Sequence, residues 1–342
     1  MSVTVVIIMC LILTGIIKLC LIGRRPRDLP PGPPTIPILG NIHLVRVSEV
    51  GAPIWAGIQS YAGKQVHHRS LKMDMYMGQT LASGGLRVLM LRYGPTWRLV
   101  RRILHRLLNM EVARSFEPYQ ALESQQMVYD ILKEPEKFTQ HARRFANSVT
   151  TATTFGYRTP KYEDPHFQEL FKVFGEFVLL AQTGVAAILD YLPILQLLPA
   201  TILPAKKRAI IHHKREKTLY RYHWDKAKSD AASAKPNHSF SLGLFEAQRV
   251  HGFSDNFASY ITGTLLEAGS DTTSNTLVGF LCAMLLFPDV QRKAQAELDR
   301  VVGTTRMPNG GDKSQLPYIR GCIKESARWM PTTILGAVPL RV

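Results

Sequence analysis

Four residues with complementary chemistry stand close together in the second half of the chain. Ala268 and Gly269 precede an acid and a hydroxyl, Asp271 and Thr272, within a long run of helical periodicity. A glycine inside a helix costs about 1 kcal/mol relative to alanine, which indicates a close approach to the backbone. Asp and Thr side chains can pass a proton to a bound reactant. The pattern leaves two interpretations open: proton delivery into a groove, or Asp271 capping a second helix that begins at Thr272.

Two charged or aromatic pairs also stand at helical spacing. Trp97 and Arg101 are four residues apart in a basic segment, which is compatible with a cation–π contact or an anion site. Glu325 and Arg328 are three residues apart, which is typical of an ordinary exposed ion pair. Neither pair identifies a function by itself.

His212 and Glu216 are a further candidate pair, because they share one face of a basic helix predicted over residues 206–228. A metal site is conceivable there. No third ligand is evident, however, and we therefore favour a solvated basic helix.

Helical periodicity dominates the chain from Thr96 onward and predicts the elements that carry these residues. The longest predicted helix follows Asp255, which we expect to cap it, and runs to about Leu286. Another helix is predicted over residues 319–329, and a strand over residues 334–340. The pattern indicates one mainly α domain.

Composition narrows the function classes. The 342 residues are 46% hydrophobic and 20% charged, which is enough for a large core, and the net charge is +16. No zinc-finger spacing or aromatic RNA-binding motif occurs, so we expect the basic surface to face membrane lipid or an acidic partner and not nucleic acid. The four cysteines, with no C-x-x-C, predict neither a disulfide framework nor a zinc site, and they favour a reducing compartment.

The N-terminal segment has the features of a membrane anchor. Residues 3–22 are apolar over about the length that crosses a bilayer, and three arginines follow, at positions 24, 25 and 27. A cleaved signal peptide would need positive charge before the apolar run and a small-x-small site after it, and both are missing. We predict a transmembrane signal anchor over 1–23 and a proline-rich strut over 24–43.

Taken together and in this order, the motifs resemble the cytochrome P450 family. The segment 268–273 is similar to its oxygen-groove motif, 97–101 to its W-x-x-x-R helix, and 325–328 to its E-x-x-R helix. The anchor and strut resemble those of endoplasmic-reticulum members. The segments 141–144, 155–158 and 324–331 look most like fungal members of secondary metabolism.

The resemblance implies a fold and an activity. The fold would be mainly α with a small β-sheet, over residues 44–342, behind one transmembrane helix. The activity would be that of a haem-dependent monooxygenase that hydroxylates or oxidises a small apolar molecule, with electrons from an NADPH-dependent reductase. We expect a single-pass protein of the endoplasmic reticulum membrane with its body in the cytosol.

The resemblance also assigns paired roles to eight residues: proton delivery, shaping of the oxygen groove, binding of haem propionates, and a structural ion pair. Asp271 and Thr272 would deliver protons, and Ala268 and Gly269 would shape the oxygen groove. Trp97 and Arg101 would bind the haem propionates, and Glu325 and Arg328 would form the structural ion pair.

Two departures from the family pattern bear on activity. The family's ligand loop, F-x-x-G-x-R-x-C-x-G, follows the E-x-x-R helix at a distance, whereas this sequence ends at Val342, and Cys282 and Cys322 lie in helical segments. The stretch between Gly40 and Trp97 is shorter than the family pattern, as if early strands were missing. We therefore expect an incomplete fold without the metal-ligating thiolate. The alternative for the chain as written is a haem-free remnant without monooxygenase activity.

Overall fold

The computed structural model describes residues 75–182, 184–233 and 239–332. The predicted anchor (1–23), strut (24–43) and strand (334–340) lie outside these residues. Eleven α-helices occur within the described ranges: α1 (Pro95–Leu107), α2 (Met110–Ser115), α3 (Glu117–Lys133), α4 (Phe138–Phe155), α5 (Pro165–Gln182), α6 (Gly184–Tyr191), α7 (Pro204–Ala232), α8 (Phe240–His251), α9 (Asp255–Leu286), α10 (Pro288–Val301) and α11 (Pro317–Trp329).

Short helical turns connect several of these elements. A π-helical segment, Tyr76–Leu81, comes first, and 3₁₀ turns occupy Val88–Met90, Pro135–Lys137, Pro193–Leu197 and Gly310–Gln315. No strand occurs in the part of the chain that the structure describes. The mainly α prediction is confirmed, and the small sheet remains a prediction.

The long helix α9 is the centre of the fold and packs most extensively against α4 and α7. Two glycines allow that approach. A Cβ atom on Gly263 would lie 2.4 Å from the ring of Tyr220 on α7, and one on Gly269 would lie 2.5 Å from Oγ1 of Thr150 on α4. Both distances are shorter than van der Waals contact, so a larger residue at either position requires the facing side chain, Tyr220 or Thr150, or the helices themselves to move.

The prediction that Asp255 caps the long helix α9 is wrong. Ser254 is the N-cap of the helix, and its hydroxyl oxygen accepts a hydrogen bond from the backbone N–H of Phe257. Asp255 is the first helical residue, and its carboxylate instead accepts hydrogen bonds from Trp224 Nε1 (3.0 Å) and Lys228 Nζ (2.8 Å) of α7. Ser254 and Asp255 are both residue types that cap helices well. The contacts of Asp255 with α7 leave Ser254 as the cap.

The helix α11 is fixed by its neighbour α10. The carboxylate of Glu297 accepts the backbone N–H groups of Tyr318 (3.1 Å) and Ile319 (2.9 Å) in the first turn of α11, and Pro317 stands at the start of that turn. The negative charge of a carboxylate at the N-terminus of a helix is also stabilised by the positive end of the helix dipole. The predicted helix over 319–329 is confirmed and begins two residues earlier.

Among the described residues, no single helix combines the length and apolar composition needed to span a membrane. The pair α9 and α10, bent by 107° at their junction, meets that test by length and composition only.

Candidate active site

The segment that contains Ala268 and Gly269 lies in the middle of an unbroken α9. The helix continues from Asp255 to Leu286, so the interpretation in which Asp271 caps a second helix is wrong. Ser270 is buried and donates a hydrogen bond to Oδ1 of Asn147 on α4 (3.1 Å). Together with the close approach of Gly269 to α4, this contact fixes the rotation of α9 about its own axis.

The face of α9 turned away from α4 carries small and hydroxyl side chains. Ala268, Thr272 and Asn275 are exposed on this open strip. The Thr272 hydroxyl donates a hydrogen bond to the carbonyl of Ala268 one turn earlier (2.6 Å). The same hydroxyl oxygen keeps its lone pairs available to a further donor.

Asp271 lies at the edge of the open strip and is half-buried. Its Oδ2 accepts a hydrogen bond from Nδ2 of Asn275 (3.1 Å). Burial raises the pKa of the Asp271 carboxyl above its ordinary value, against the opposing influence of Asn275 and of the charge on Arg143. A raised carboxyl pKa keeps more of the acid form near neutral pH, which suits a general acid.

The predicted propionate-binding pair lies on α1. Trp97 is partly buried, contacts the ring of Tyr93 (centroids 5.1 Å apart) and packs on an apolar cluster that includes Ile261 of α9. Arg101, one turn later, is exposed, and its guanidinium makes no hydrogen bond or ion pair with a described residue. The structure therefore shows an available cation beside an anchored aromatic ring, but no direct contact between this pair and the open strip.

The predicted ion pair on α11 forms. Nε of Arg328 donates to both carboxylate oxygens of Glu325 (3.0 and 2.9 Å), and both side chains are exposed. Cys322 on the same helix is buried, and burial raises the pKa of its thiol, which disfavours a thiolate. Within the described ranges, no group of three or more His, Cys, Asp or Glu side chains is arranged to hold a metal.

A buried ionic cluster next to this site was not predicted from the sequence. The guanidinium of Arg87, which is 2% exposed, contacts the carboxylates of Glu216 on α7 and Glu267 on α9, which are 0% and 4% exposed. Nε of Arg87 also donates to Oγ of Ser83 (3.0 Å), and the guanidinium carbon lies 3.5 Å from the ring centroid of Phe177 on α5. The only available sequence signal was a glutamate directly before Ala268, within an otherwise apolar helical run.

The pair His212 and Glu216 is also placed differently from the prediction. The helix itself is confirmed as α7, but both side chains point into the protein and are 2% and 0% exposed, so the solvated interpretation is wrong for them. Nε2 of His212 lies 3.4 Å from Oε1 of Glu216, and Nδ1 lies 3.7 Å from Oε2 of Glu176. His212 forms part of the wall of a cavity of about 350 Å³ between α5, α6 and α7.

Comparison with known proteins matches the chain to one family. The sequence model described as "Cytochrome P450" matches residues 64–337. The protein named cytochrome P450 monooxygenase virE, from Hypocrea virens, is 41% identical over 92% of this chain and 62% of its own length. Cytochrome P450 monooxygenase fogE, from Aspergillus ruber, is 39% identical over 96% of this chain and 66% of its own length. The chain thus spans slightly less than two thirds of the length of these relatives.

Proposed function

The chain belongs to the cytochrome P450 family, and on that basis we propose that the protein is a haem-thiolate monooxygenase that inserts one oxygen atom into a small apolar molecule. The observation that carries the proposal is the open strip on α9, where Ala268, Thr272 and the half-buried Asp271 meet on an unbroken helix. Fungal relatives that are named monooxygenases support the same reaction class.

The described residues fit two parts of a haem site. The open strip offers small side chains against which a flat macrocycle can lie, with Gly269 holding the helix in place behind it. Arg101 offers an unpaired guanidinium suited to a propionate carboxylate, and Trp97 holds the helix that carries it. When bound, haem supplies the oxygen activation and the electron-accepting chemistry of the reaction.

Two side chains of the open strip are placed to deliver protons. Burial raises the pKa of the Asp271 carboxyl, and Thr272, one residue later, places a hydroxyl at the surface of the strip. We infer that the carboxyl and the hydroxyl act in series, with the hydroxyl donating into the groove and the carboxyl restoring its proton.

The thiolate ligand is not assigned to Cys282 or Cys322. Both are on helices, and the buried Cys322 favours its protonated form. A loop that aims several backbone N–H groups at the sulfur is the arrangement expected for a haem thiolate. The comparisons do not favour the haem-free alternative, because the matched relatives carry the description "monooxygenase".

A reduced carbon-monoxide difference spectrum tests the haem assignment. We expect the protein expressed from its natural transcript, in microsomes with a co-expressed reductase, to show a thiolate-type Soret band and to consume NADPH when an apolar substrate is present. Serine variants at positions 282 and 322 should keep that band. No band, or one typical of histidine ligation, would contradict the proposal.

A basic surface on α1 supports an acidic redox partner. Arg98, Arg102 and Arg106 are exposed on this helix, and the chain as a whole carries a net charge of +16. Opposite charges accelerate encounter between proteins and are screened by salt. We propose an NADPH-dependent reductase with an acidic docking face, and reversing the charge of Arg102 should slow reduction in low salt more than in high salt.

We also propose a location at the endoplasmic reticulum membrane, with residues 1–23 as the anchor and the body in the cytosol. The support is the apolar run followed by arginines 24, 25 and 27. Glycosylation acceptors attached to either end in separate experiments test the orientation. Modification at the C-terminal end would exclude the proposed topology.

A further inference from the structure

A second acid lies one helical turn before Asp271. Glu267 and Asp271 are four residues apart on α9, so they share a face and their Cβ atoms are about 6 Å apart. Glu267 is 4% exposed, whereas Asp271 is half-buried at the edge of the open strip. The acid of the candidate site therefore has a neighbour of the same chemistry on its protein side.

Glu267 shares one guanidinium with another buried carboxyl group. Nη2 of Arg87 lies 3.3 Å from Oε1 of Glu267 and also contacts Oε1 of Glu216, while Nη1 contacts Oε2 of Glu267. If both carboxyl groups ionised, the cluster would hold an uncompensated negative charge away from water, which is strongly unfavourable. One of the two carboxyl groups is therefore expected to carry a proton.

The surroundings indicate which carboxyl group that is. Burial raises the pKa of Glu267, and the like charge of Glu216 adds to this against the attraction of Arg87. The pKa of Glu216 is lowered in spite of its burial, because His212 and Arg87 favour its charged form. The remaining titratable groups that face the cluster are Tyr220 and His213 on α7 and Tyr260 on α9.

We propose that Glu267 stores a proton beside the oxygen groove and passes it to Asp271 after Asp271 has released its own. In that step an O–H bond of Glu267 breaks and an O–H bond of Asp271 forms. The cluster then holds two carboxylates on Arg87 until a new proton reaches it through Glu216. The inference rests on the proposed function, because it assumes that Asp271 delivers protons. Glu267 acts through Asp271 and is therefore a positioning residue.

The structure also indicates how the store is refilled. His212 lines the cavity of about 350 Å³ and lies 3.4 Å from Oε1 of Glu216. Oε2 of Glu216 is buried and has no hydrogen-bond partner among the described residues, so this oxygen is free to hold a proton that reaches the carboxyl group. Both Glu216 and Glu267 contact Nη2 of Arg87, which holds the two carboxyl groups next to each other.

Infrared spectroscopy of the haem-free chain tests the stored proton without turnover. We expect a carbonyl-stretch band of a protonated, buried carboxyl group at pH 7 that disappears in Glu267→Gln and survives in Asp271→Asn. The control Glu134→Gln removes an exposed, ion-paired carboxylate on the loop after α3 and should leave the band unchanged. Absence of the band at pH 7, or its survival in a Glu267→Gln chain with native circular dichroism, would overturn the proposal.

If Glu267→Gln does not fold, Glu267→Asp keeps an ionisable group at the same position, and the band should then shift in frequency. An unshifted band would assign the proton elsewhere.

Turnover of the haem-loaded protein separates this proposal from the proposed function. We expect Glu267→Gln to lower product formation about 10-fold at high pH and much less at low pH, because Asp271 must then be recharged from bulk water. A purely structural role would lower the rate equally at every pH. If Asp271→Asn has no effect, proton delivery by Asp271 is wrong. If Asp271→Asn is slow while Glu267→Gln keeps the native pH profile, only the proton store is wrong.

Discussion

At the scale of single residues, Thr272 is a side chain whose structural and chemical roles can be separated. Its hydroxyl is exposed and bonds only to the carbonyl of Ala268 among the described residues. Exposed substitutions of this kind change stability by less than about 0.5 kcal/mol. We expect Thr272→Ala to keep its fold and its haem, to lower product per electron by about 10-fold, and to release the difference as peroxide.

Thr276 provides the matched control for this experiment. Its hydroxyl bonds to the carbonyl of Thr272 (2.9 Å), which is the same contact one turn further along α9. Thr276→Ala should therefore lose the same type of hydrogen bond without uncoupling electron flow from product. Equal yields per electron in Thr272→Ala and native protein would show that the hydroxyl has no part in proton delivery.

Gly269 is required by packing, and its substitution has a predictable cost. A Cβ atom there would lie 2.5 Å from Oγ1 of Thr150, which is itself held by a hydrogen bond to the carbonyl of Ala146 (2.7 Å). We expect Gly269→Ala to lower the free energy of unfolding by about 1–3 kcal/mol, the range for overpacked cores. Denaturant unfolding followed by circular dichroism measures this change.

Gly175 on α5 gives the opposite expectation and serves as the control. It is also in a helix, but nothing lies within 4 Å of a Cβ atom placed on it. Gly175→Ala should raise stability by about 0.5–1 kcal/mol through helix propensity alone. Adding Thr150→Ala to Gly269→Ala should recover part of the loss. If both glycine variants behave alike, the close approach of α9 to α4 is not what selects glycine.

At the scale of elements, Asp255 joins the start of α9 to α7 and α8. Its Oδ1 accepts hydrogen bonds from Trp224 Nε1, Lys228 Nζ and Gln248 Nε2. Partial burial alone would raise the carboxyl pKa, but these donors outweigh it and hold the pKa of Asp255 well below its usual range. A depressed acid pKa stabilises the fold at pH values above the unfolded pKa of about 3.9, and that contribution is lost as pH falls through the folded value.

We therefore expect Asp255→Asn to be less stable than the native protein by about 1 kcal/mol at pH 7, with the difference shrinking below about pH 4. Urea unfolding at several pH values measures it. The control Asp289→Asn removes an exposed carboxylate of α10 whose one ion-pair partner among the described residues is Arg292, and it should change little at any pH. A constant difference from pH 7 to pH 3 would show that the ionised carboxylate of Asp255 contributes nothing specific.

The sequence predicts the bounds of the helices well, but it predicts poorly which charged side chains point into the protein. The sequence predicts α9 and α11 to within two residues, because α11 has one recurring apolar face and α9 is a long, mainly apolar run that ends before Pro288. It could not choose between Ser254 and Asp255 as the cap, since both types cap helices and only the contact of Asp255 with α7 decides. The sequence predicts His212 and Glu216 on a solvated face, because Arg87, the buried partner of Glu216, is more than a hundred residues away in sequence.

In the candidate site, too, helix spacing predicts some features and packing between helices decides the others. Ala268, Gly269 and Thr272 share one helix, so their relative placement follows from spacing alone. The half-burial of Asp271 and the ionic cluster behind it depend on which helices pack against α9, and hydrophobic periodicity carries no information about that pairing.

At the scale of the whole molecule, as far as its residues are described, Arg87 connects elements that are distant in sequence. Its guanidinium contacts Glu216 of α7, Glu267 of α9 and the ring of Phe177 of α5, from a segment that precedes α1. Removing one member of a buried ionic cluster leaves charge without a partner, at a typical cost of about 3–5 kcal/mol. A loss of this size is a large fraction of the stability of a single domain.

We expect Arg87→Met to lower the free energy of unfolding by about 3–5 kcal/mol at pH 7, measured by urea unfolding. The variant should recover stability as pH falls, because without the guanidinium the folded-state pKa values of both buried carboxyl groups rise, and their neutral forms are tolerated in an apolar interior. Arg215→Met is the matched control: Arg215 also contacts two glutamates, Glu169 and Glu176, but at a partly exposed position, so its loss should cost less than about 1 kcal/mol. The comparison isolates burial, because residue type, substitution and number of carboxylate partners are the same in the two variants. Equal costs for the two variants would mean that water reaches the Arg87 cluster and that α5, α7 and α9 are held together by their apolar contacts alone.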